Sequence, residues 1–438
     1  MQYVVMPDQW SIADFYIGTT IGEGRYGRVV HAIVKNVDET NETLLIARRR
    51  PRISTGITST SREDPHHCRH VAIKIMDKTQ LIRLKQAKSA LRERKILTHL
   101  TEIHYGEHKG EPFMPCLLMS FVDESSLYIV TELCDGGSLA DLFRYIYHRG
   151  NTKNPWESEQ QQQKPPSKCR GEDERYQWVR YILAQLLSGL EFLHSHRIIH
   201  RDIKPDNVLL LSNGHVRVVD FGSAIHVQSN KGEGEVHVDG LYEFAGTADY
   251  VSPEMIRGTG GFTSARVSFI NLTAQDLWSF GCVIHFLLSG ESPFHAESDH
   301  LAMTAVLAHA DGSRAVPLSS GMPLNGKDLI EALLVGEPYM RLGCGDIAWR
   351  QPGDDDKASE TDVTENNHSP DLLPIQHYIS IRQHRFFRDT DWDSFDRGSA
   401  KPPRTPPTPA WVEQYASGRS DLKDGASIHD DLSSWRLS

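Results

Sequence analysis

The run His200-Arg201-Asp202-Ile203-Lys204-Pro205-Asp206-Asn207, followed by Asp220-Phe221-Gly222, constrains this chain more than any other feature. One loop carries an acid, a lysine and an asparagine, and a second acid follows. Together they suit a site that orients a hydroxyl, screens a phosphate and holds magnesium. Upstream, Ile21-Gly22-Glu23-Gly24-Arg25-Tyr26-Gly27-Arg28-Val29 fits G-x-G-x-x-G-x-V. Glycines let backbone amides approach phosphate oxygens closely. Alone this motif reads equally as a hairpin turn with convenient glycines. A dinucleotide site would need a strand leading into a helix, and here a second strand follows.

Hydrophobic patterning places these motifs. Residues 14 to 34 alternate around the glycines and predict two strands joined by a tight loop. Val71–Met76 predicts another strand, Ala87–Leu100 a helix, and Leu117–Phe121 and Leu127–Leu133 further strands. This small lobe, 14–134 after a lead of 1–13, is expected to be an antiparallel sheet with one main helix. Lys74, on the strand Val71-Ala72-Ile73-Lys74, needs a partner because an unpaired interior charge is costly. Glu93 in Arg92-Glu93-Arg94 is the candidate, against a solvated row of surface charges.

After Gly136-Gly137 the pattern turns helical, with Leu139–Tyr147 and Tyr176–His194 amphipathic and Asp276–Leu288 apolar enough to be buried throughout. The large lobe is read as 135–390. Three polar stretches, 35–69, 150–174 and 350–372, read as insertions, and 391–438 as a polar, proline-rich tail. The fold class expected is α+β with two lobes.

Composition narrows the setting. The 438 residues carry a net charge of −11, which argues against nonspecific nucleic-acid binding. The amino terminus lacks a basic region before an apolar core, and no stretch is long enough to span a bilayer. The cysteines at 68, 116, 134, 169, 282 and 344 lack paired spacing and suit a reducing compartment, so cytoplasm is the expectation. For the same reason the Asn-x-Thr tripeptides at Asn41 and Asn271 are read as coincidental. Arg48–Arg52 could touch anionic lipid or direct nuclear entry, but is read first as a solvated insertion. His66-His67-Cys68-x-His70 lacks a second ligand pair and is not taken as a zinc site.

The assembled motifs resemble those of protein kinases. The resemblance implies ATP and Mg2+ as cofactors, Asp202 orienting the attacking hydroxyl, and Lys204 stabilising the transferring phosphoryl. Lys74 with Glu93 would engage phosphates, while Asn207 and Asp220 would hold magnesium. Nucleotide contacts are implied for Ile21, Gly22, Glu23, Gly24, Gly27, Val29, Ala72, Lys74, Glu132, Cys134, Ser138, Asp206 and Leu209. Of these, the Glu132 carbonyl and Cys134 amide would bind adenine between Val29, Ala72 and Leu209. Arg341 would pair with Glu254, and Asp276 would anchor the catalytic loop. The lysine two residues after Asp202 favours serine/threonine substrates.

More narrowly, Lys74-Ile75-Met76-Asp77-Lys78, Arg92-Glu93-Arg94, Gly246–Glu254 and Leu333-Leu334-Val335 with Arg341-Leu342-Gly343-Cys344 resemble the 3-phosphoinositide-dependent protein kinase family of the AGC group. That resemblance implies client kinases as substrates, docking by a phosphorylated Phe-x-x-Phe motif. Lys78 and Arg94 would contact the phosphate, and Ile82 and Leu127 would line the apolar part. Ser120 and Val122 would form the wall, with Val122 where a polar side chain is expected. No Phe-x-x-Phe-Ser/Thr motif stands near the end, which fits a master kinase better than a client. Only a short tail follows residue 395, so no pleckstrin-homology domain is expected and direct lipid recruitment has no visible basis. Glu243 occupies the family's phosphoserine position. It is expected to pair with Arg201 and hold the loop unphosphorylated, with phosphate at Tyr242 as the fallback. An AGC-like kinase with unrelated substrates, or a scaffold that binds nucleotide without transfer, are the alternatives.

Overall fold

The computed structural model describes residues 10–24, 27–35, 70–106, 113–148, 174–229, 236–237, 245–258, 269–347, 375–403 and 423–424. Most of each expected insertion lies outside these residues, as do Tyr242, Glu243 and the His66–Cys68 run. The described residues divide into two compact units. One comprises those within 1–137, 209–222 and 404–438; the other comprises those within 138–208 and 223–403.

In the first unit β1 (Phe15–Gly24), β2 (Gly27–Val34), β3 (His70–Asp77), β4 (Leu117–Val122) and β5 (Ser126–Glu132) form an antiparallel sheet. A short β6 (Lys423–Asp424) joins it, giving the order β6-β1-β2-β3-β5-β4. Strand alternation sends Phe15, Ile17, Val30, Ala32, Val71, Ile73, Phe121, Tyr128 and Val130 into one core cluster. Phe121 stacks between neighbours, with ring centroids 6.0 Å from Phe15 and 4.7 Å from Tyr128. Burying each such ring contributes about 1.5–3 kcal/mol. The register sets Lys74 opposite Val29 on one side and Ile129 on the other.

Beside the expected main helix, a short one accompanies this sheet. The extra helix α1 (Lys78–Arg83) is six residues long, too short to declare a period, and its start is fixed by Asp77 accepting the Gln80 amide at 2.8 Å. Helix α2 (Ala87–Gly106) carries Glu93, Ile96, Leu97 and Leu100 on its buried side.

The second unit is mainly helical. Its helices α3 (Leu139–His148), α4 (Glu174–Ser195), α5 (Phe269–Ser289), α6 (Asp299–Ala310) and α7 (Leu324–Leu333) include two, α6 and α7, that the sequence pattern did not single out. Along α5, Leu272, Ala274, Leu277, Trp278, Phe280, Cys282, Val283, Ile284 and Leu287 are all fully buried. Close packing there depends on Gly281, where a Cβ would sit 3.0 Å from both Leu333 and Leu334.

Two boundaries differ from those expected. Residues 209–222 group with the sheet unit, because their amides pair with it: Gly136 donates to the Leu210 carbonyl at 2.8 Å and Val218 to the Phe113 carbonyl at 2.8 Å. The helical unit also runs past 390. A helical turn at Trp392–Asp396 packs Phe395 against Tyr181 at 5.6 Å, and Asp396 bonds Arg382 at 2.7 and 2.9 Å. Further on, β6 lies within the segment read as a polar, proline-rich tail.

Candidate active site

The sheet unit presents a cation between two carboxylates. Lys74 Nζ lies 2.7 and 2.8 Å from the Glu93 oxygens and 3.0 Å from Asp220 Oδ1. Burial opposes the ammonium, but the charges of Asp220 and Glu93 outweigh it and hold the Lys74 pKa above its ordinary value. Burial also pushes the Glu93 carboxyl up, with Lys74 pulling against it and Asp220 adding to it. Helix α2 grips the segment a second time, since the buried Ser89 hydroxyl donates to the Gly222 carbonyl. Asp220 itself holds a left-handed φ of 64°, a conformation that side chains adopt only with support.

The glycine motif forms the β1–β2 hairpin, with Gly24 paired to Gly27. At Gly27 a Cβ would fall 2.2 Å from the Ile75 carbonyl, so close approach to β3 requires a glycine there. Gly22 has no such restriction, its nearest neighbour being Val29 at 3.7 Å. Val29 and Ala72 sit on adjacent strands, and Ile21, Glu23 and Gly24 lie on β1. At the end of β5 the Glu132 amide donates to the Cys116 carbonyl at 3.2 Å, and Cys134 follows, half-buried, with Leu209 half-buried in the same unit. The Glu132 carboxylate accepts Arg217 Nε at 2.7 Å, a buried pair that no motif announced.

The helical unit supplies a second constellation. The Asp202 carboxylate accepts the Thr247 hydroxyl at 2.9 Å and Asn207 Nδ2 at 3.0 Å, with the Lys204 ammonium at 3.1 Å. Lys204 also donates to Thr247 Oγ1 at 2.6 Å. Asn207 spends its amide nitrogen on Asp202, including the Asp202 carbonyl at 2.8 Å, which directs its amide oxygen elsewhere. Beneath the loop, Asp276 receives the backbone amides of His200 and Arg201, each at 2.8 Å. Burial opposes the Asp276 charge, but bonds from His194 and His200 hold its pKa below the usual carboxylate range. Arg341 clasps Glu254 through two bonds of 2.6 Å and reaches the Ala274 and Val335 carbonyls at 2.8 Å.

These constellations can fix a hydroxyl-orienting carboxylate, surround it with donors, and hold a phosphate-binding lysine by a buried glutamate. A model of the protein kinase domain matches residues 56–351. The chain belongs to the protein kinase family. It is a serine/threonine-type protein kinase, and the kinase domain implies use of ATP. The chain is 30% identical over 416 residues to a 3-phosphoinositide-dependent protein kinase 1 of Arabidopsis thaliana, covering 94% of this chain and 62% of the relative. The mouse protein of that name is 28% identical over 368 residues, covering 84% and 50%. The Saccharomyces cerevisiae serine/threonine-protein kinase PKH1 is 29% identical over 338 residues, covering 76% and 34%. This chain thus spans between a third and about three-fifths of these relatives.

Several kinase positions lie differently from expectation. The Ser138 hydroxyl is committed to capping α3, accepting the Asp141 amide at 3.0 Å and donating to its carboxylate at 2.7 Å. That gives the hydroxyl a local structural role. Asp206 is exposed on a single 3-10 turn. Lys78 donates one of its three ammonium protons to the Asp123 carbonyl at the β4–β5 turn. Ile82 is 72% exposed and Val122 61%, whereas Leu127 is only 8% exposed. Arg94 points outward from α2. Arg201 donates Nε to the Ser223 carbonyl at 2.7 Å, while its expected partner Glu243 lies outside the described residues.

Thr247 lies within Gly246–Glu254, and sequence reasoning gives it no role of its own. Its place in Gly246-Thr247-Ala248, fixed relative to Ser252-Pro253-Glu254, was the available signal.

Proposed function

We propose that this chain transfers the γ-phosphate of ATP to serine or threonine in the activation loops of other AGC-type kinases. The observation that carries the chemistry is Asp202 with Lys204, Asn207 and Thr247 gathered on its carboxylate. In the step, the substrate hydroxyl oxygen bonds to the γ-phosphorus as the bond to the ADP oxygen breaks. Asp202 orients the hydroxyl and takes its proton, which then passes to solvent. Lys204 screens charge on the phosphoryl oxygens, and Lys74, braced by Glu93, engages the phosphates not transferred. Asn207 and Asp220 offer hard oxygen donors of the kind magnesium takes, and Asp220 is 43% exposed on its side chain. Magnesium held by such donors would neutralise phosphate charge.

The choice of client rests on similarity to kinases named for 3-phosphoinositide dependence and on the exposed face of α1 and α2. Ile82, Leu91 and Val122 expose apolar surface in the same unit that projects Arg94. Arg94 is the exposed side chain we assign to a phosphorylated Phe-x-x-Phe motif. We also assign Glu243 as partner of Arg201 in place of loop phosphate, and the cytoplasm as the setting.

Kinetics with a client activation-loop peptide test this reading. Arg94→Ala should lose activity towards full-length clients while keeping activity on short peptides. Equal loss on both would reject the docking assignment, and full activity of Glu243→Ala would reject the carboxylate pairing.

A further inference from the structure

Below the catalytic loop lies a chain of polar groups that the phosphoryl-transfer residues do not account for. Asp276 on α5 and His194 on α4 are fully buried, and their side chains bond at 2.9 Å from Nε2 to Oδ2. The other imidazole nitrogen, Nδ1, meets the hydroxyl of Tyr378, which is also fully buried. Thr273, one turn before Asp276 on α5 and 2% exposed, hydrogen-bonds the Tyr378 oxygen. Buried polar groups that satisfy one another in series act as a unit, because any member left unpaired is costly.

The proton order follows from the donors available. Burial holds the Tyr378 phenol well above its ordinary pKa, so its oxygen keeps its proton. Thr273 donates to that oxygen, and the phenol proton therefore points to His194 Nδ1. Nδ1 then accepts, which leaves the imidazole proton on Nε2 facing Asp276. The Asp276 oxygens in turn accept the His200 and Arg201 amides. Arg201 holds a left-handed φ of 64°, a conformation a non-glycine residue keeps only when its surroundings impose it.

The Tyr378 ring is fixed independently of its hydroxyl. Its backbone amide donates to Glu191 Oε1 at 2.8 Å, and Glu191 is held by Arg382 Nε at 2.9 Å. Ring carbon Cδ1 lies 3.1 Å from where a Cβ on Gly343 would stand, so Gly343 leaves room for the ring. The hydroxyl can thus be deleted without moving the ring.

We infer that Tyr378 is a positioning residue for phosphoryl transfer, fixing the His194 tautomer so that Asp276 holds the His200–Arg201 backbone and, through it, Asp202. This rests on the kinase assignment and adds to it a residue far along the chain, at the start of the described segment 375–403. Tyr378 touches neither substrate nor nucleotide.

The test compares the full chain with Tyr378→Phe, using ATP-magnesium and an activation-loop peptide. Removing one buried donor should lower kcat about tenfold, with KM for ATP and peptide within about twofold. Spectra of 15N-histidine protein, with His194 assigned by its loss in His194→Gln, should show the Nε2–H tautomer in the parent and a mixture in Tyr378→Phe. Thr273→Val should move both readouts in the same direction by less, and serves if the tyrosine variant fails to fold. Unchanged kcat overturns the inference. So does a fall in kcat with the His194 tautomer unmoved, which would mark a merely structural tyrosine. If the parent transfers no phosphate, the kinase reading fails separately, and the tautomer comparison still decides whether the relay exists.

Discussion

Thr247 donates its hydroxyl to Asp202 Oδ1 at 2.9 Å, which ties the segment Gly246–Glu254 directly to the carboxylate we propose orients the substrate. The Thr247 oxygen in turn accepts the Lys204 ammonium at 2.6 Å. The segment Gly246–Glu254 and the loop of Asp202 and Lys204 therefore share a hydrogen-bonded junction within one compact unit. Thr247→Val should lower kcat about 10–100-fold with KM for ATP within about twofold, because a donor to the reacting carboxylate is lost. Thr247→Ser should keep most activity. Steady-state kinetics on a peptide substrate check both.

Lys74 is braced by Glu93 from a different element, α2, so the two should fail unequally. Lys74→Met removes the phosphate contact itself, and kcat/KM should fall about 10³-fold or more. Glu93→Gln leaves the lysine in place but weakens its hold, with a fall of about 10–100-fold. Equal losses would mean that Glu93 does more than brace the lysine.

Arg341 and Glu254 form a buried bidentate pair with bonds of 2.6 Å. Breaking such a pair leaves a charge without its partner, so Arg341→Met should cost roughly 3–5 kcal/mol of stability. Replacing both, with Glu254→Met added, should recover most of that loss. Urea unfolding of the two variants distinguishes pairing from simple packing.

His31 on β2 is 5% exposed and shares a hydrogen bond of 2.7 Å with His70, their rings stacked at 5.0 Å. Burial first, and then the neighbouring His70, lowers the His31 pKa from 6.5 to about 4. A histidine whose folded pKa is depressed takes up its proton more readily when unfolded, so stability rises with pH across that window. The protein should lose stability as pH falls from 6.5 towards 4, and His31→Gln should flatten this dependence. Urea midpoints at pH 7, 5.5 and 4.5 measure it.

Much of this was legible because phosphoryl-transfer chemistry imposes spacing. The order of Gly22, Lys74, Asp202, Asn207 and Asp220 pointed to the family before any coordinates, and strand and helix periods located β1 to β5, α2 and the buried run of α5. Short elements escaped. Six-residue α1 has too few turns to show a period, and the turn at Trp392–Asp396 is held by Arg382 and Tyr181, far off in sequence. Ser138 and Lys78 were assigned by motif position, while their partners Asp141 and Asp123 were set by local geometry that spacing does not carry. Arg217 and Tyr378 lie outside every motif, and only the fold brings them to Glu132 and His194.

The docking surface adds a prediction of direction. Val122 presents a methyl-bearing side chain, 61% exposed, in the same unit as Arg94. Val122→Gln should strengthen binding of a phosphorylated Phe-x-x-Phe peptide by a few-fold, about the worth of one added hydrogen bond. Calorimetry with phosphorylated and unphosphorylated peptides reads this directly, and no change in either would remove Val122 from the docking surface.

The central claim is transfer to AGC-type clients under the control of a docked motif. Its most direct test is phosphate transfer from ATP-magnesium to a client activation-loop peptide, with and without a phosphorylated Phe-x-x-Phe peptide, and with Asp202→Ala as control. We predict transfer that the added peptide stimulates and that Asp202→Ala abolishes. Transfer indifferent to the peptide would contradict the client assignment while leaving an AGC-like kinase with other substrates, and nucleotide binding without transfer would contradict catalysis itself.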